Sequence, residues 1–439
     1  MDIGLITLII VLAIGMLLVM GLPLAFATGT VAVTVGLIAF GPDVLPLIAS
    51  RIYSFMSEYV LVAVPMFILM ASLMERTGVA KDLYRAMHVW GGGLKGGLAV
   101  QTLFVAVIMA AMTGIIGGEI VLLGMIALPQ MLSVGYNKNI AIGTICAGGS
   151  LGTMIPPSIV LIIYGLTANV AIGDLFLATV LPGLLLAGLY LTYILVRCAI
   201  NPTLGPPAPA QERQMPLLQK LALFKDLILP LTVAAWVLGS IYAGIASVTE
   251  AAGMGVVGTL LAALVRRELK WKVVRESLLQ TMNTCGMLLW LTFGATALIG
   301  VYNLLGGTAF IKSMVVGLDV APVGVILIMM GILVVMGLFM DWVGILLLTV
   351  PIFVPAIVAL GYDPVWFGIL FCMNMQVSYL SPPFGPAAFY LKGVAPPEIT
   401  LQDIFMGLWP FIILQLIGLL IVLFVPQIAL WLPGLMYPQ

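Results

Sequence analysis

Residues 128–164 read LPQMLSVGYNKNIAIGTICAGGSLGTMIPPSIVLIIY, and residues 354–390 repeat their arrangement as VPAIVALGYDPVWFGILFCMNMQVSYLSPPFGPAAFY. Seven residues recur at a constant separation of 226 positions without a gap. They are Pro129 and Pro355, Gly135-Tyr136 and Gly361-Tyr362, Cys146 and Cys372, Pro156-Pro157 and Pro382-Pro383, and Tyr164 and Tyr390. Although Pro and Gly are common in membrane helices, seven ungapped matches favour an internal duplication over chance.

Each copy contains a polar, proline-containing interruption, GGSLGTMIPPS (148–158) and MNMQVSYLSPPFG (373–385). Tandem prolines remove two amide donors and disfavour the helical conformation in the residue before them. Each interruption therefore predicts a span broken into two half-helices. Such a break offers free carbonyls to a cation and a helix N-terminus to an anion. The alternative is a plain structural kink, but the matched positions in both copies favour a functional site.

A second matched pair is TGIIGGE (113–119) and FMDWVGI (339–345). Gly114, Gly117 and Gly118 suit a tight re-entrant turn, because glycine tolerates positive φ. Glu119 and Asp341 are the acidic residues placed most deeply in apolar sequence, and an intramembrane carboxylate indicates a functional site. Glu119 has an alternative role near a helix start, where an anion is also favoured.

The composition excludes a soluble globular protein. Of 439 residues, 63% are hydrophobic and 8% are charged, and the mean hydropathy is +1.24. The apolar stretches are continuous rather than alternating, and many reach the roughly 20 residues that a membrane helix needs. Spans are predicted at 3–22, 24–40, 60–75, 139–168, 175–199, 227–243, 251–265, 279–300, 365–392 and 404–430. Two further apolar segments, 97–133 and 322–359, are interrupted near the middle, and each is either two short spans or one re-entrant hairpin.

The positive charges predict the topology. Most Lys and Arg lie in residues 76–95, 197–225 and 266–275, which the positive-inside rule places in the cytoplasm. Residues 41–58 are poor in positive charge and are predicted to lie outside. Equivalent points of the two copies are then separated by an odd number of crossings, so the second copy is inverted. Inverted repeats are typical of secondary transporters.

These inferences divide the chain into two repeats. Residues 1–200 form the first, with scaffold helices in 1–96, a hairpin at 97–133 and a broken helix at 139–168. A Pro- and Gln-rich cytoplasmic linker occupies 201–226. Residues 227–439 form the second, with scaffold helices in 227–321, a hairpin at 322–359 and a broken helix at 365–392.

Other motifs favour transport over catalysis. Residues 148–152 match GxSxG, but this motif needs a strand–turn–helix context and a His base. The one histidine, His88, lies in a basic segment and is predicted to be solvated. No P-loop pattern occurs. The four cysteines form no CxxC pair, so neither a disulfide framework nor a resident metal site is expected. Glu250 is expected to cap a helix or to contact a gate.

The chain resembles the large membrane subunit, the DctM type, of tripartite ATP-independent periplasmic (TRAP) transporters. The resemblance covers essentially the whole chain. The motifs that carry it are GGSLGTMIPPS, IYG, IGDLF, SVTEAAG, GLFMD, VPIFVPAIVALGYDPVWFG and SPPFG. It implies an all-α polytopic membrane protein of the ion-transporter superfamily. Two inverted-topology repeats with re-entrant hairpins and discontinuous helices would form a scaffold and an elevator-type transport domain.

The resemblance also implies two sodium sites and a nearby solute site, with Na⁺ as coupling ion and no other cofactor. The first sodium site would consist of Gly114, Gly117, Gly118, Gly152, Ile155 and Pro157. The second would consist of Met340, Asp341, Gly344, Ser378, Ser381 and Pro383. The residues predicted to contact the solute are Glu119, Ser150, Thr153, Ser158, Asn374, Gln376 and Asp341.

The function implied is sodium-driven uptake of an organic anion, such as a 2-oxo or hydroxy acid, across the bacterial inner membrane. A periplasmic substrate-binding protein and a small four-helix membrane subunit would be the partners. The glycine-rich tip TGIIGGE departs from the Ser- and Ala-rich family pattern, which leaves side-chain ligation at the first sodium site open. The alternatives are an ion-coupled carboxylate carrier without a binding protein, a channel and an intramembrane enzyme.

Overall fold

A computed structural model describes residues 3–91, 93–114, 116–207, 225–316 and 320–436. The described residues are almost entirely helical. Among them, seven helical segments are long and apolar enough to cross a membrane, and several shorter apolar helices accompany them. The predicted all-α polytopic fold is therefore confirmed.

The first repeat contains ten α-helices. They are α1 (Ile3–Val19), α2 (Leu24–Phe40), α3 (Val44–Met56), α4 (Ala63–Arg76), α5 (Val79–Gly91), α6 (Gly97–Thr113), α7 (Gly118–Ser133), α8 (Lys138–Ser150), α9 (Ile159–Ala168) and α10 (Ile172–Ile200). Helices α6 and α7 form the first hairpin, and α8 and α9 are the two halves of the first broken helix.

The second repeat also contains ten described α-helices. They are α11 (Lys225–Tyr242), α12 (Val248–Val265), α13 (Trp271–Leu304), α14 (Gly307–Val316), α15 (Pro322–Gly337), α16 (Trp342–Ala359), α17 (Pro364–Leu380), α18 (Pro386–Lys392), α19 (Leu401–Phe424) and α20 (Gln427–Met436). The hairpin is α15–α16, and the broken helix is α17–α18, so both predicted breaks are confirmed.

The duplication extends to local backbone geometry. Asn137 and Asp363, 226 positions apart, are the N-caps of α8 and α17, and each side chain accepts from the amide two residues ahead. Gly135 and Gly361 precede them, both with positive φ, 89° and 82°. The peptide bonds Pro156-Pro157 and Pro382-Pro383 are both cis. The two repeats therefore share local backbone geometry as well as sequence.

The structure adds helices that the hydropathy pattern does not predict. Residues 41–58, predicted only as an outside segment, contain the amphipathic helix α3, which buries Val44 and Ile48. In the second repeat the equivalent region is continuous, because α13 runs for 34 residues without interruption. The first repeat breaks between α3 and α4, at Ser57 and Glu58.

Some predictions concern parts of the chain outside the described residues. They include most of the predicted linker, residues 208–224, and Ile115 within the first hairpin tip. The side chain of His88 is also outside the described part. The predicted capping role of Glu250 is observed, because Glu250 and Ser247 form a capping box at the start of α12.

The helices pack into two groups. In the framework group (α1–α4 and α11–α13), α2 packs along α13, and α4 packs against α12 and α13. In the hairpin group (α6–α9 and α15–α18), α8 packs between the two helices of its own hairpin. Helices from different repeats contact each other in this group, because α9 packs on α16 and α18 packs on α7. These contacts bring both hairpin tips and both breaks into one region.

Candidate functional site: two hairpin tips, two helix breaks and a cavity

The first break lies between α8 and α9. Helix α8 ends at Ser150 and passes through a 3-10 turn, Leu151–Thr153, into the tandem prolines. Ser158 restarts the helix as the N-cap of α9, and its hydroxyl accepts a 3.5 Å hydrogen bond from the Leu161 amide. The same hydroxyl donates to the carbonyl of Thr153. Ser158, predicted to contact solute, is therefore engaged in capping.

The first hairpin tip rests on this break. Gly114 has φ +66° and lies so close to the carbonyl oxygen of Pro157 that a Cβ would not fit between them. The Ile159 amide donates to the Gly114 carbonyl at 3.4 Å. Gly117, with φ +124°, begins the returning helix α7. Glycine is required at both positions, for close approach at Gly114 and for the backbone at both.

Three carbonyls of the first break have no donor. Among the described residues, no hydrogen bond is donated to the carbonyl oxygen of Gly152, Ile155 or Pro157. Carbonyl oxygens of this kind suit a hard cation. The structure places Gly114 against Pro157, and both are members of the predicted first site. By contrast, Gly118 faces the carboxylate of Glu75 in the framework group.

The second hairpin tip forms a similar pocket with the second break. A cavity of about 210 Å³ is lined by Met340, Asp341 and Ser378 of the predicted second sodium site, together with Gly337 and Tyr379. Asp341 is the N-cap of α16, and its carboxylate accepts from the Val343 amide at 3.4 Å. Since one capping bond does not use all of its lone pairs, Asp341 can also contact a cation.

The other members of the predicted second site are placed differently. The Ser381 hydroxyl is buried and donates to the Val377 carbonyl at 2.7 Å, which leaves its oxygen lone pairs available. Gly344 contacts Leu24 of α2, and Pro383 is exposed. Neither residue lines the 210 Å³ cavity.

A hydrogen bond links the two breaks. Gln376 of α17 donates from Nε2 to Thr153 Oγ1 in the first break, at 2.7 Å, and both residues are buried. Two side-chain oxygens in α17, Oε1 of Gln376 and Oδ1 of Asn374, have no hydrogen-bond partner among the described residues. The Nδ2 of Asn374 does have a partner, because it donates to the Met330 carbonyl at 2.9 Å. Buried acceptors without donors are uncommon, and each calls for an explanation such as an ion or water.

Glu119 is a third buried acceptor. It is 0% exposed, and the Thr113 hydroxyl across the first tip donates to its Oε1. Its Oε2 has no partner among the described residues. The cap of α7 is Gly117, so Glu119 does not act as N-cap, although it lies in the first turn, where an anion is favoured. Ser150 is bonded to the Ala147 carbonyl of its own helix, at 2.9 Å.

A larger cavity, of about 730 Å³, lies between the hairpin group and the framework group. The hairpin side provides both tips and the starts of two half-helices: Ile116, Gly117, Gly118, Val121, Ile159, Asp341, Trp342, Pro386 and Tyr390. The framework side provides Pro23, Ala25, Phe26, Glu75, Gln280, Thr284, Met287, Leu288, Trp290 and Leu291. The two tips thus meet one shared space that is large enough for a small organic solute.

Of the residues predicted to contact solute, only Asp341 lines this cavity. Thr153 and Gln376 lie behind it, where they join the breaks. Sequence reasoning did not identify Glu75, Gln280 and Trp290 on the framework wall. A signal for Glu75 existed, because it is a carboxylate in the last turn of an apolar helix. Its contact with Gly118 depends on tertiary packing and could not be predicted.

Comparisons with known proteins agree with this architecture. The sequence model of the family described as "Tripartite ATP-independent periplasmic transporter, DctM component" matches residues 5–428. The C4-dicarboxylate TRAP transporter large permease protein DctM of Vibrio cholerae is 28% identical, over 98% of both chains. The ectoine TRAP transporter large permease protein TeaC of Halomonas elongata is 30% identical, over 98% of this chain and 99% of its own.

A solved structure shares the fold. The crystal structure of the Alcanivorax borkumensis YdaH transporter aligns with a TM-score of 0.65 at 17% identity. The alignment covers 91% of this chain and 90% of that one. The curated relatives are named as transporter permeases, so this chain is a transport protein and not an enzyme. It belongs to the DctM component family of tripartite ATP-independent periplasmic transporters.

Proposed function

We propose that this chain is the large membrane subunit of a sodium-coupled uptake system for a carboxylate-bearing solute in the bacterial inner membrane. The observation that carries the proposal is the pairing of each hairpin tip with a helix break. Carbonyls without a hydrogen-bond donor among the described residues accompany the first pair, and Asp341 and Ser378 line a pocket at the second. Both pairs border the 730 Å³ cavity between the two helix groups.

Sodium is the coupling ion that these groups fit. Carbonyl, hydroxyl and carboxylate oxygens suit a hard cation, and a glycine-rich tip allows the backbone to approach it closely. Bound sodium would offset the charge of Asp341 and allow a carboxylate to enter the cavity. In this way ion and solute binding become energetically coupled, because each lowers the cost of the other.

The hairpin group is proposed to move against the framework group as an elevator-type transport domain. Support comes from the packing, since the tips and breaks contact one another within one group. The cavity lies between that group and the framework, which also meet directly where α6 packs on α4 and α16 packs on α13. In the inverted-repeat arrangement predicted from the charges, the two tips exchange roles as the site faces one side and then the other.

The proposed partners are a periplasmic substrate-binding protein and a small four-helix membrane subunit. The family description, a tripartite periplasmic transporter, supports both. The substrates that name two of the relatives, a C4-dicarboxylate and ectoine, both contain a carboxylate group, which supports a carboxylate-bearing solute here.

The proposal is tested in proteoliposomes that contain this chain, the small subunit and the binding protein loaded with labelled solute. An inward sodium gradient should drive accumulation, and equal sodium on both sides or potassium in its place should not. Counterflow of labelled solute separates a carrier from a channel, because only a carrier exchanges bound solute. Uptake that persists without the binding protein would favour the alternative, an ion-coupled carboxylate carrier without a receptor.

A further inference from the structure

The 730 Å³ cavity has two chemically different walls. On the hairpin side, helices α7, α9 and α16 begin at its surface, near Gly118, Ile159 and Trp342. Helix N-termini carry partial positive charge and amides beyond those that Asp341 and Ser158 cap, so this wall suits the carboxylate of the solute. The framework side includes one helix N-terminus, that of α2 at Pro23, and otherwise presents side chains of α4 and α13.

Aromatic rings cover part of the framework wall. Phe26 of α2 and Trp290 of α13 face each other with ring centroids 5.6 Å apart and planes inclined by 34°. Phe26 is 53% exposed and Trp290 is 57% exposed, and both residues line the cavity. The faces of aromatic rings attract cations, most strongly in the case of Trp.

Glu75 adds an acidic side chain to the same wall. It lines the cavity at the end of α4, together with Gln280. The adjacent Arg76 does not form an ion pair with it. Arg76 Nη1 binds Glu276 at 2.7 Å, and Arg76 Nη2 binds Gln280 Oε1 at 2.9 Å. Within the described residues, no Lys, Arg or His lines the cavity.

This charge pattern is unfavourable for a solute that carries negative charge only. Such a solute would lie between Glu75 and Asp341, and like charges in a partly desolvated space repel strongly. Under the proposed function, sodium offsets Asp341 but leaves Glu75. A positively charged group on the solute would offset Glu75 and would also contact the rings of Phe26 and Trp290.

We infer that the solute is a zwitterion, with a carboxylate bound at the hairpin wall and a cationic nitrogen bound by Glu75, Phe26 and Trp290. The inference rests on the proposed function and narrows its substrate class. It disfavours simple 2-oxo and hydroxy acids, which have no cationic group. Ammonium, quaternary ammonium and amidinium carboxylates fit both walls.

Two probes of equal shape test the inference directly. Glycine betaine and 3,3-dimethylbutyrate differ only in whether the branched centre is a cationic nitrogen or a neutral carbon. Thermal unfolding of the purified large and small subunits is followed in sodium while each probe is titrated. Glycine betaine should stabilise the complex at an approximately tenfold lower concentration, as expected for one cation-binding contact.

Variants of the framework wall give the second part of the test. Glu75→Gln should reduce the preference for glycine betaine to less than about threefold, while the response to 3,3-dimethylbutyrate stays. Glu398→Gln, at an exposed position, is the matched control and should retain the preference. If Glu75→Gln fails to fold, Trp290→Leu replaces it, with the exposed Trp236→Leu as its control.

The outcomes separate this inference from the proposed function. Equal stabilisation by both probes in sodium, or no stabilisation by the zwitterion, would overturn the inference. An equal loss of both responses in Glu75→Gln would assign Glu75 a structural role and would also overturn it. A zwitterion preference that is the same in sodium and potassium would retain the inference while contradicting sodium coupling.

Discussion

Gln376 in the second broken helix donates a 2.7 Å hydrogen bond to the hydroxyl of Thr153 in the first. Both side chains are buried, and they come from different repeats, 223 positions apart. The bond joins the two breaks at the centre of the hairpin group. It therefore provides a direct way to measure how far the breaks act as one unit.

Removal of one partner of this bond should destabilise the protein. In Thr153→Val, the amide of Gln376 loses its acceptor in a buried position, and a loss of about 1–3 kcal/mol in unfolding free energy is expected. The double variant Thr153→Val/Gln376→Leu should recover part of that loss, because both polar groups are then absent. The unfolding free energies of the wild type, the two single variants and the double variant are compared by thermal unfolding in detergent. Thr192→Val, at an exposed intrahelical bond, should be neutral. Simple additivity of the two single variants would contradict a direct interaction.

Asp341→Asn should abolish most sodium-driven uptake while the protein remains folded. Asn is as good an N-cap as Asp, so the start of α16 is preserved and only the charge is lost. Asp363→Asn is the matched control, since Asp363 caps α17 with the same geometry but lies outside the cavities. Uptake is measured in proteoliposomes. Wild-type rates in Asp341→Asn would remove Asp341 from the ion site.

Ser381→Ala should raise the sodium concentration that gives half-maximal uptake, by several-fold. The variant loses one hydroxyl oxygen near the second tip but keeps the fold, because that hydroxyl bonds only to its own helix. Ser133→Ala removes a similar bond at an exposed position and should leave the sodium titration unchanged. An unaltered titration in Ser381→Ala would exclude its hydroxyl from the second site.

Gly114→Ala should disrupt the contact between the first tip and the first break. The new methyl group would collide with the Pro157 carbonyl, and the residue would also adopt positive φ, which alone costs about 1–2 kcal/mol. Gly135→Ala, with φ +89° and open space around it, isolates the backbone cost. We expect Gly114→Ala to lose sodium-dependent stabilisation and Gly135→Ala to keep it. Equal behaviour of the two variants would show that the close approach has no role in ion binding.

The sequence was sufficient to predict the repeat, the hairpins and the breaks. These features depend on local backbone chemistry: the tandem prolines, the glycines of the first tip, and the uniform apolar character of the spans. The amphipathic helix α3 was not predicted, because its apolar face is short and interrupted by polar residues.

Prediction of the cavity was less complete. Asp341 was identified because a carboxylate in an apolar segment is unusual wherever it packs. Glu75 and Trp290 were missed because their significance depends on the packing of α4 and α13 against the hairpin tips. Gly344 is equivalent to Gly118 in the repeat, but it faces Leu24. The position of a residue in the repeat does not determine whether its side of the helix faces the site.

The most direct test of the central proposal is equilibrium binding of radioactive sodium to the purified large and small subunits, with potassium as competitor. We expect saturable sodium binding that potassium does not displace, and a reduced number of bound ions in Asp341→Asn but not in Asp363→Asn. If the wild-type complex binds no sodium saturably, or if Asp341→Asn binds as much as the wild type, the pairing of hairpin tips with helix breaks is not a sodium site.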